Sequence, residues 1–131
     1  MTLTSEILDA LSLEAKTCGR LRMNYDLRTS PADQSQRMLN ALEPGTQVPI
    51  HRHPHTCETV IMLRGSVKEM FFDDEGNVTE CVFLRAGTEP SAMNIPAGMW
   101  HTLECLEPGT ILFEAKDGPF EPRREEDILS T

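Results

Sequence analysis

The chain has 131 residues, a net charge of −9 and a sequence pI of about 4.8. An acidic surface repels phosphate backbones and anionic bilayers, so nucleic acid and membrane are excluded as expected partners, while the length suffices for a core without disulfide or metal staples. The four cysteines, Cys18, Cys57, Cys81 and Cys105, contain no C-x-x-C pair and read as reduced, mostly buried thiols.

The N-terminal stretch "MTLTSEILDALSLEAK" lacks a basic n-region and interleaves Glu6, Asp9 and Glu14 with its apolar residues. It reads as neither a secretory signal nor an anchor, and no apolar run approaches the roughly 20 residues of a spanning helix. A cytoplasmic location is the expectation. Ile7, Leu8, Leu11 and Ala15 recur at helical spacing and predict an amphipathic helix over 5–17. Thr4 or Ser5 caps its start, Lys16 suits its last turn and Gly19 ends it.

Short β-type segments follow, separated by turn signals. "RLRMNYDL", "RMLNAL", "QVPIHRH", "ETVIMLRG", "SVKEMFF", "VTECVFLR", "EPSAMNI", "WHTLECL" and "TILFEAK" read as strands. "DDEGN" is the clearest hairpin loop, with Gly76 and Asn77 suited to positive φ. Many short strands with regular punctuation predict an all-β antiparallel sandwich or barrel. Val60, Met62, Val67, Met70, Phe72, Val82, Leu84, Leu103, Ile111 and Phe113 are its expected core. The domain reading is one unit over 1–131: helix to residue 19, barrel over 20–117, and a loose proline- and charge-rich tail with a short terminal helix over 118–131.

The chemistry concentrates in "HRHPHTCE". In an extended segment residues i and i+2 share a side, so His51 and His53 project together. Pro54 stops that segment, and Glu58 opens the next strand, expected to return antiparallel beside it. His101 follows the turn "IPAGMW" into another strand and adds a third imidazole if that strand faces the same interior. Three nitrogens and one carboxylate oxygen suit one divalent ion such as zinc, iron, manganese or nickel. A six-coordinate ion on four protein ligands keeps two positions for water or substrate, which favours catalysis or substrate binding over a structural role.

The spacing Gly45-x5-His51-x-His53-x4-Glu58-x6-Gly65 resembles the first motif of the cupin superfamily, and Pro96-x-Gly98-x-x-His101 resembles the core of the second. The second motif departs from the family at Pro90, where glycine is usual, and at Cys105, where asparagine is usual. The resemblance implies a cupin double-stranded β-helix, a jelly-roll barrel, behind a short N-terminal α-helix. It implies His51, His53, Glu58 and His101 as the metal ligands. More narrowly, "RLRMNYDLR", "QRMLNALEPGT", "ETVIMLRGSV" and "FEAKDGPFEP" look like the WbuC family of cupin-fold metalloproteins, whose genes often lie among bacterial surface-polysaccharide biosynthesis genes.

Beyond the ligands, His55 reads as a rim residue or acid–base candidate, because an imidazole with a pKa near 6.5 suits proton transfer at neutral pH. Glu114 and Lys116 lie at i, i+2 and either line the barrel mouth or form a solvent-facing ion pair; Glu114 is a second candidate for proton transfer. Arg20, Arg22 and Asn24 share one strand face. Arg37, Lys116 and Trp100 are candidate substrate-binding residues, the cations because they grip carboxylate or phosphate. Together these predict a metalloenzyme acting on a small polar or sugar-derived metabolite in surface-polysaccharide biosynthesis, by isomerase or epimerase chemistry. An iron-dependent dioxygenase and a non-catalytic metal-dependent binding protein remain alternatives, and the family resemblance implies a homodimer.

Overall fold

A computed structural model describes residues 1–129; residues 130 and 131 of the expected tail lie outside the described residues. The helix α1 spans Ser5–Thr17, and the Thr4 hydroxyl accepts from the Ile7 amide at 3.4 Å as its N-cap. It ends at Cys18, and Leu21, at φ 57°, rather than Gly19 takes the left-handed conformation that turns the chain into the sheet. Eight strands follow: β1 (Arg22–Asp26), β2 (Ser35–Leu42), β3 (Glu58–Arg64), β4 (Ser66–Phe72), β5 (Val78–Arg85), β6 (Ala92–Ile95), β7 (Trp100–Cys105) and β8 (Thr110–Asp117). They form a five-stranded sheet in the order β1-β2-β8-β3-β6 facing a three-stranded sheet in the order β5-β4-β7, antiparallel throughout.

Both faces of the larger sheet are covered. On the outer face, Leu39, Ala41 and Ile111 pack with Leu11 and Ala15 of α1. On the inner face, Leu42, Val60, Met62 and Leu112 meet Val67, Phe71 and Leu84 of the smaller sheet. Phe71 takes the inward place expected of Met70, because the β4 residues Val67, Glu69 and Phe71 share one face. The register of β4 against β5 shifts at Phe72, which is buried as well. Gly65 joins β3 to β4 at φ 71°, and a Cβ there would overlap Thr110 Oγ1 and lie 2.8 Å from Thr110 Cα. That close approach is the physical reason for glycine at the end of the first motif.

Three expectations change. "QVPIHRH" is not a strand: only His51 makes an isolated bridge, and its partners are His101 and Ile128 rather than β3. Pro49 and Pro54 bracket the segment and remove the amide donors a continuous ladder needs. The C-terminal segment is not loose along 127–129. The Arg52 amide donates to Asp127 O at 3.1 Å, and the Leu129 amide donates to Ile50 O at 2.8 Å. A 3₁₀ turn at Glu125–Asp127 precedes this docking. Finally, all four thiols are free, yet of them Cys105 alone is buried, while Cys57 and Cys81 are exposed. No helix among the described residues is long and apolar enough to cross a membrane.

Candidate metal centre

His51 and His101 are locked to each other through the backbone. The His51 amide donates to His101 O at 3.0 Å and the His101 amide donates to His51 O at 2.9 Å, the reciprocal pair of an antiparallel bridge. Their rings lie 4.3 Å apart between centroids. The turn Pro96-x-Gly98 is tied to the same place: Gly98, at φ 79°, donates its amide to His53 O at 2.8 Å. The two sequence motifs therefore hold each other, and β3 supplies Glu58 at its first residue, buried beneath them.

The side chains are oriented as well as close. His51 Nδ1 lies 2.8 Å from Pro49 O, and His101 Nδ1 lies 2.9 Å from Met99 O. A carbonyl accepts only from a protonated nitrogen, so both rings carry a proton on Nδ1 and present Nε2 to Glu58 and the interior, the second-sphere arrangement typical of ligating imidazoles. Glu58 Oε2 lies 3.1 Å from His53 Nε2 and 3.3 Å from His101 Nε2. Yet neither Glu58 Oε2 nor His101 Nε2, both buried, makes a hydrogen bond. The atoms are near one another without being directed at one another.

These orphaned atoms are the test of whether a metal fits. The four ligand atoms lie within 4.8 Å of one another. Ligands about 2.1 Å from a common ion lie no more than about 4.2 Å apart, so the cluster closes on a divalent ion with small adjustments. Buried donors left unpaired cost free energy, and an ion among them removes that cost. Protonation supports the same reading. Burial, with His101 and Arg123 nearby, depresses the His51 pKa to about 3, so the ring stays neutral and able to ligate. Burial alone would raise Glu58, but the adjoining Glu114, His101, His53 and Lys116 outweigh it and hold Glu58 well below the usual carboxylate range. For His101, the Glu58 carboxylate outweighs burial and raises its pKa.

Above the tetrad opens a cavity of about 970 Å³. Its walls follow strand alternation: Gln36, Met38, Asn40 and Leu42 from β2, Glu58 and Val60 from β3, Glu69 from β4, and Leu112, Glu114 and Lys116 from β8. Glu114 and Lys116, at 3.5 Å, line this cavity rather than the outer surface. Burial and the Glu58 charge push Glu114 well above the ordinary carboxylate range. His55 is exposed and also lines the cavity.

Two candidates lie elsewhere. Arg37 shares the face of Leu39 and Ala41, on the helix side of the sheet, where it pairs with Asp33 at 3.1 Å. Trp100 does not line the cavity; its indole donates to Asp74 at 2.9 Å and its ring lies 4.4 Å from the Arg52 guanidinium. It braces the segment that carries the histidines. At the departure from the second motif, the Cys105 thiol donates to Glu107 O at 3.2 Å, well down the strand from His101.

Glu69 was not singled out in the sequence. It is 1 % exposed, faces the cavity, and leaves Oε2 without a partner. Burial, reinforced by the Glu58 charge and opposed by His101, pushes its pKa up to about 8. Its signal was available in "SVKEMFF", where Val67, Glu69 and Phe71 have one parity.

No curated protein matches the sequence. Several solved structures share the fold. The Streptococcus pyogenes protein SPY1581, itself of unknown function, is 16% identical over 79% of this chain and 80% of its own, with a TM-score of 0.61. CapF, solved with the inhibitor 3-isopropenyl-tropolone, is 19% identical over 76% of this chain and 28% of its own, with a TM-score of 0.63. Bacillus subtilis oxalate decarboxylase, an enzyme with Mn(II) centres, is 20% identical over 83% of this chain and 27% of its own, with a TM-score of 0.58. This chain thus spans about a quarter of the last two proteins, both cupins, and the likeness establishes a cupin fold; the tetrad suited to a divalent ion is this chain's own. The sequence matches a family described as "Domain of unknown function (DUF6016)" over residues 3–84, well over half of its length, and the chain belongs to that family.

Proposed function

We propose that this protein is a metal-dependent enzyme that moves a proton on a small polar metabolite, as an isomerase or epimerase does. The observation that carries the reading is the cavity of about 970 Å³ that places two high-pKa carboxyl groups, Glu69 and Glu114, together with the tetrad on its walls. His51, His53, Glu58 and His101 would hold the ion. A divalent ion supplies Lewis-acid polarisation of a carbonyl or hydroxyl oxygen.

The chain's own residues supply the rest. Glu114 holds its proton on the carboxyl beside Glu58 and is an acid for an oxygen or carbon above the tetrad. Glu69, with a pKa of about 8, is near the point where one group both gives and takes a proton at neutral pH. His55, at the rim, is placed to pass protons between the cavity and water. Asn40, Gln36 and Lys116 offer hydrogen bonds suited to hydroxyl groups. The resemblance to WbuC proteins supports a sugar-derived substrate from surface-polysaccharide biosynthesis, handled in the cytoplasm by a homodimer.

The test is exchange of substrate carbon-bound protons in D2O, followed by NMR over a panel of sugar nucleotides and sugar phosphates. We expect deuterium to enter one position, and Glu114→Gln to slow incorporation about 10²-fold or more. Tight binding of a panel member without exchange or turnover would replace the enzyme with a binding protein. Oxygen consumption on adding substrate would replace proton transfer with oxidation.

A further inference from the structure

The ionic partners of the cavity's cations are unevenly distributed. Arg52 is paired with Asp127 at 2.9 Å and Arg124 with Glu126 at 3.5 Å, and Lys116 lies 3.5 Å from Glu114. Arg22 and Arg123 also line the cavity, and among the described residues neither has a carboxylate partner. The other acids of the rim, Asp117 and Glu121, do not pair with them either. Arg22 is half-buried on β1 and uses Nη1 to donate to Gln47 O at 2.6 Å. Arg123 comes from the C-terminal segment that Asp127 and Leu129 dock against residues 50–52. Burial and then Arg20 depress Arg22; burial and then Arg22 depress Arg123, against the favourable charges of Glu58 and Glu114.

Two guanidinium groups without an ion-pair partner on the wall of one cavity can receive an anion from solution. Guanidinium forks match the planar or tetrahedral oxygens of carboxylate and phosphate. Arg22 and Arg123 line the same cavity as His51, Glu58 and Glu114, so an anion held there shares that cavity with the tetrad. We propose that Arg22 and Arg123 form an oxyanion cradle, and that the molecule received above the tetrad carries a phosphate or carboxylate group. This rests on the proposed function for the reacting end of that molecule, and adds the charged handle by which it is held.

The test is calorimetric titration of the full-length protein, metal-loaded and after metal removal, with inorganic phosphate and separately with malonate, at fixed ionic strength. Either anion should bind, and Arg22→Gln and Arg123→Gln should each weaken binding about tenfold or more, with metal content unchanged. Arg85→Gln, on the distant β5, should leave it unchanged. Preference for phosphate assigns a phosphorylated ligand, and preference for malonate a carboxylate. His51→Ala should keep anion binding, which separates the cradle from the metal centre: metal content without Arg-dependent binding would overturn the cradle alone. Absence of binding by both anions, or equal binding in wild type and Arg123→Gln, also overturns it. Arg123 lies outside every strand, so its variant tests the cradle even if Arg22→Gln fails to fold.

Discussion

Glu69 is the residue whose environment is most at odds with its charge. Its carboxyl is 1 % exposed, and its pKa is pushed from 4.5 to about 8. Between these values the unfolded chain has lost the proton and the folded chain retains it. Folding therefore binds a proton in that window, and stability falls as pH rises from about 4.5 to about 8, then levels off. At 1.36 kcal/mol per unit, the full span is up to about 5 kcal/mol. Denaturant unfolding of metal-free protein at a series of pH values should show this decline, and Glu69→Gln should flatten it. An equal slope in both proteins would contradict the assignment. The same burial makes the residue useful, because a neutral carboxyl beside a metal centre donates a proton where an exposed glutamate cannot.

Among the elements, the segment 49–55 and the C-terminal segment are held by isolated backbone bonds and side-chain ties rather than by a continuous ladder. Arg52 Nε meets Asp127 Oδ1 at 2.9 Å while its guanidinium covers Trp100, so one residue between two ligands fixes both the tail and the second motif. Asp127→Ala leaves the Arg52 fork without its partner and should cost about 1–3 kcal/mol. Limited proteolysis should then cut after Arg123 or Arg124 faster than in the wild-type chain. Equal resistance in both proteins would show that the backbone bonds alone hold the segment.

The elements also show what was legible. His51-x-His53, Glu58 and Pro96-x-Gly98-x-x-His101 are local spacings, and the structure assembles them as their spacing and the family resemblance implied. Arg37 was misplaced because both faces of its sheet are covered, one by α1 and one by the barrel, so alternation alone did not distinguish inside from outside. Arg123 was invisible because its position depends on a contact between Arg52 and Asp127, 75 residues apart. The strand assigned to "QVPIHRH" failed for a local reason, the two prolines that remove ladder donors.

At the scale of the whole molecule, an apolar core of Leu42, Val60, Met62, Leu84 and Ile95 lies between the two sheets, and the cavity that the tetrad lines shares Leu42 and Val60 with it. The core does not depend on the tetrad, so removal of an ion should lower the melting temperature without unfolding the chain. The tetrad itself makes sense as a structure only if something joins its inward-facing atoms, since Glu58 Oε2 and His101 Nε2 are buried without hydrogen bonds. The direct measurement is elemental analysis of untagged protein purified without added metal, repeated after titration with Mn(II), Zn(II), Fe(II) and Ni(II), in parallel with His101→Ala and Glu58→Ala. The account predicts about one tightly held divalent ion per chain, lost in both variants, with folding retained in at least one. Failure of every ion to bind, or binding that persists unchanged in both variants, would contradict it.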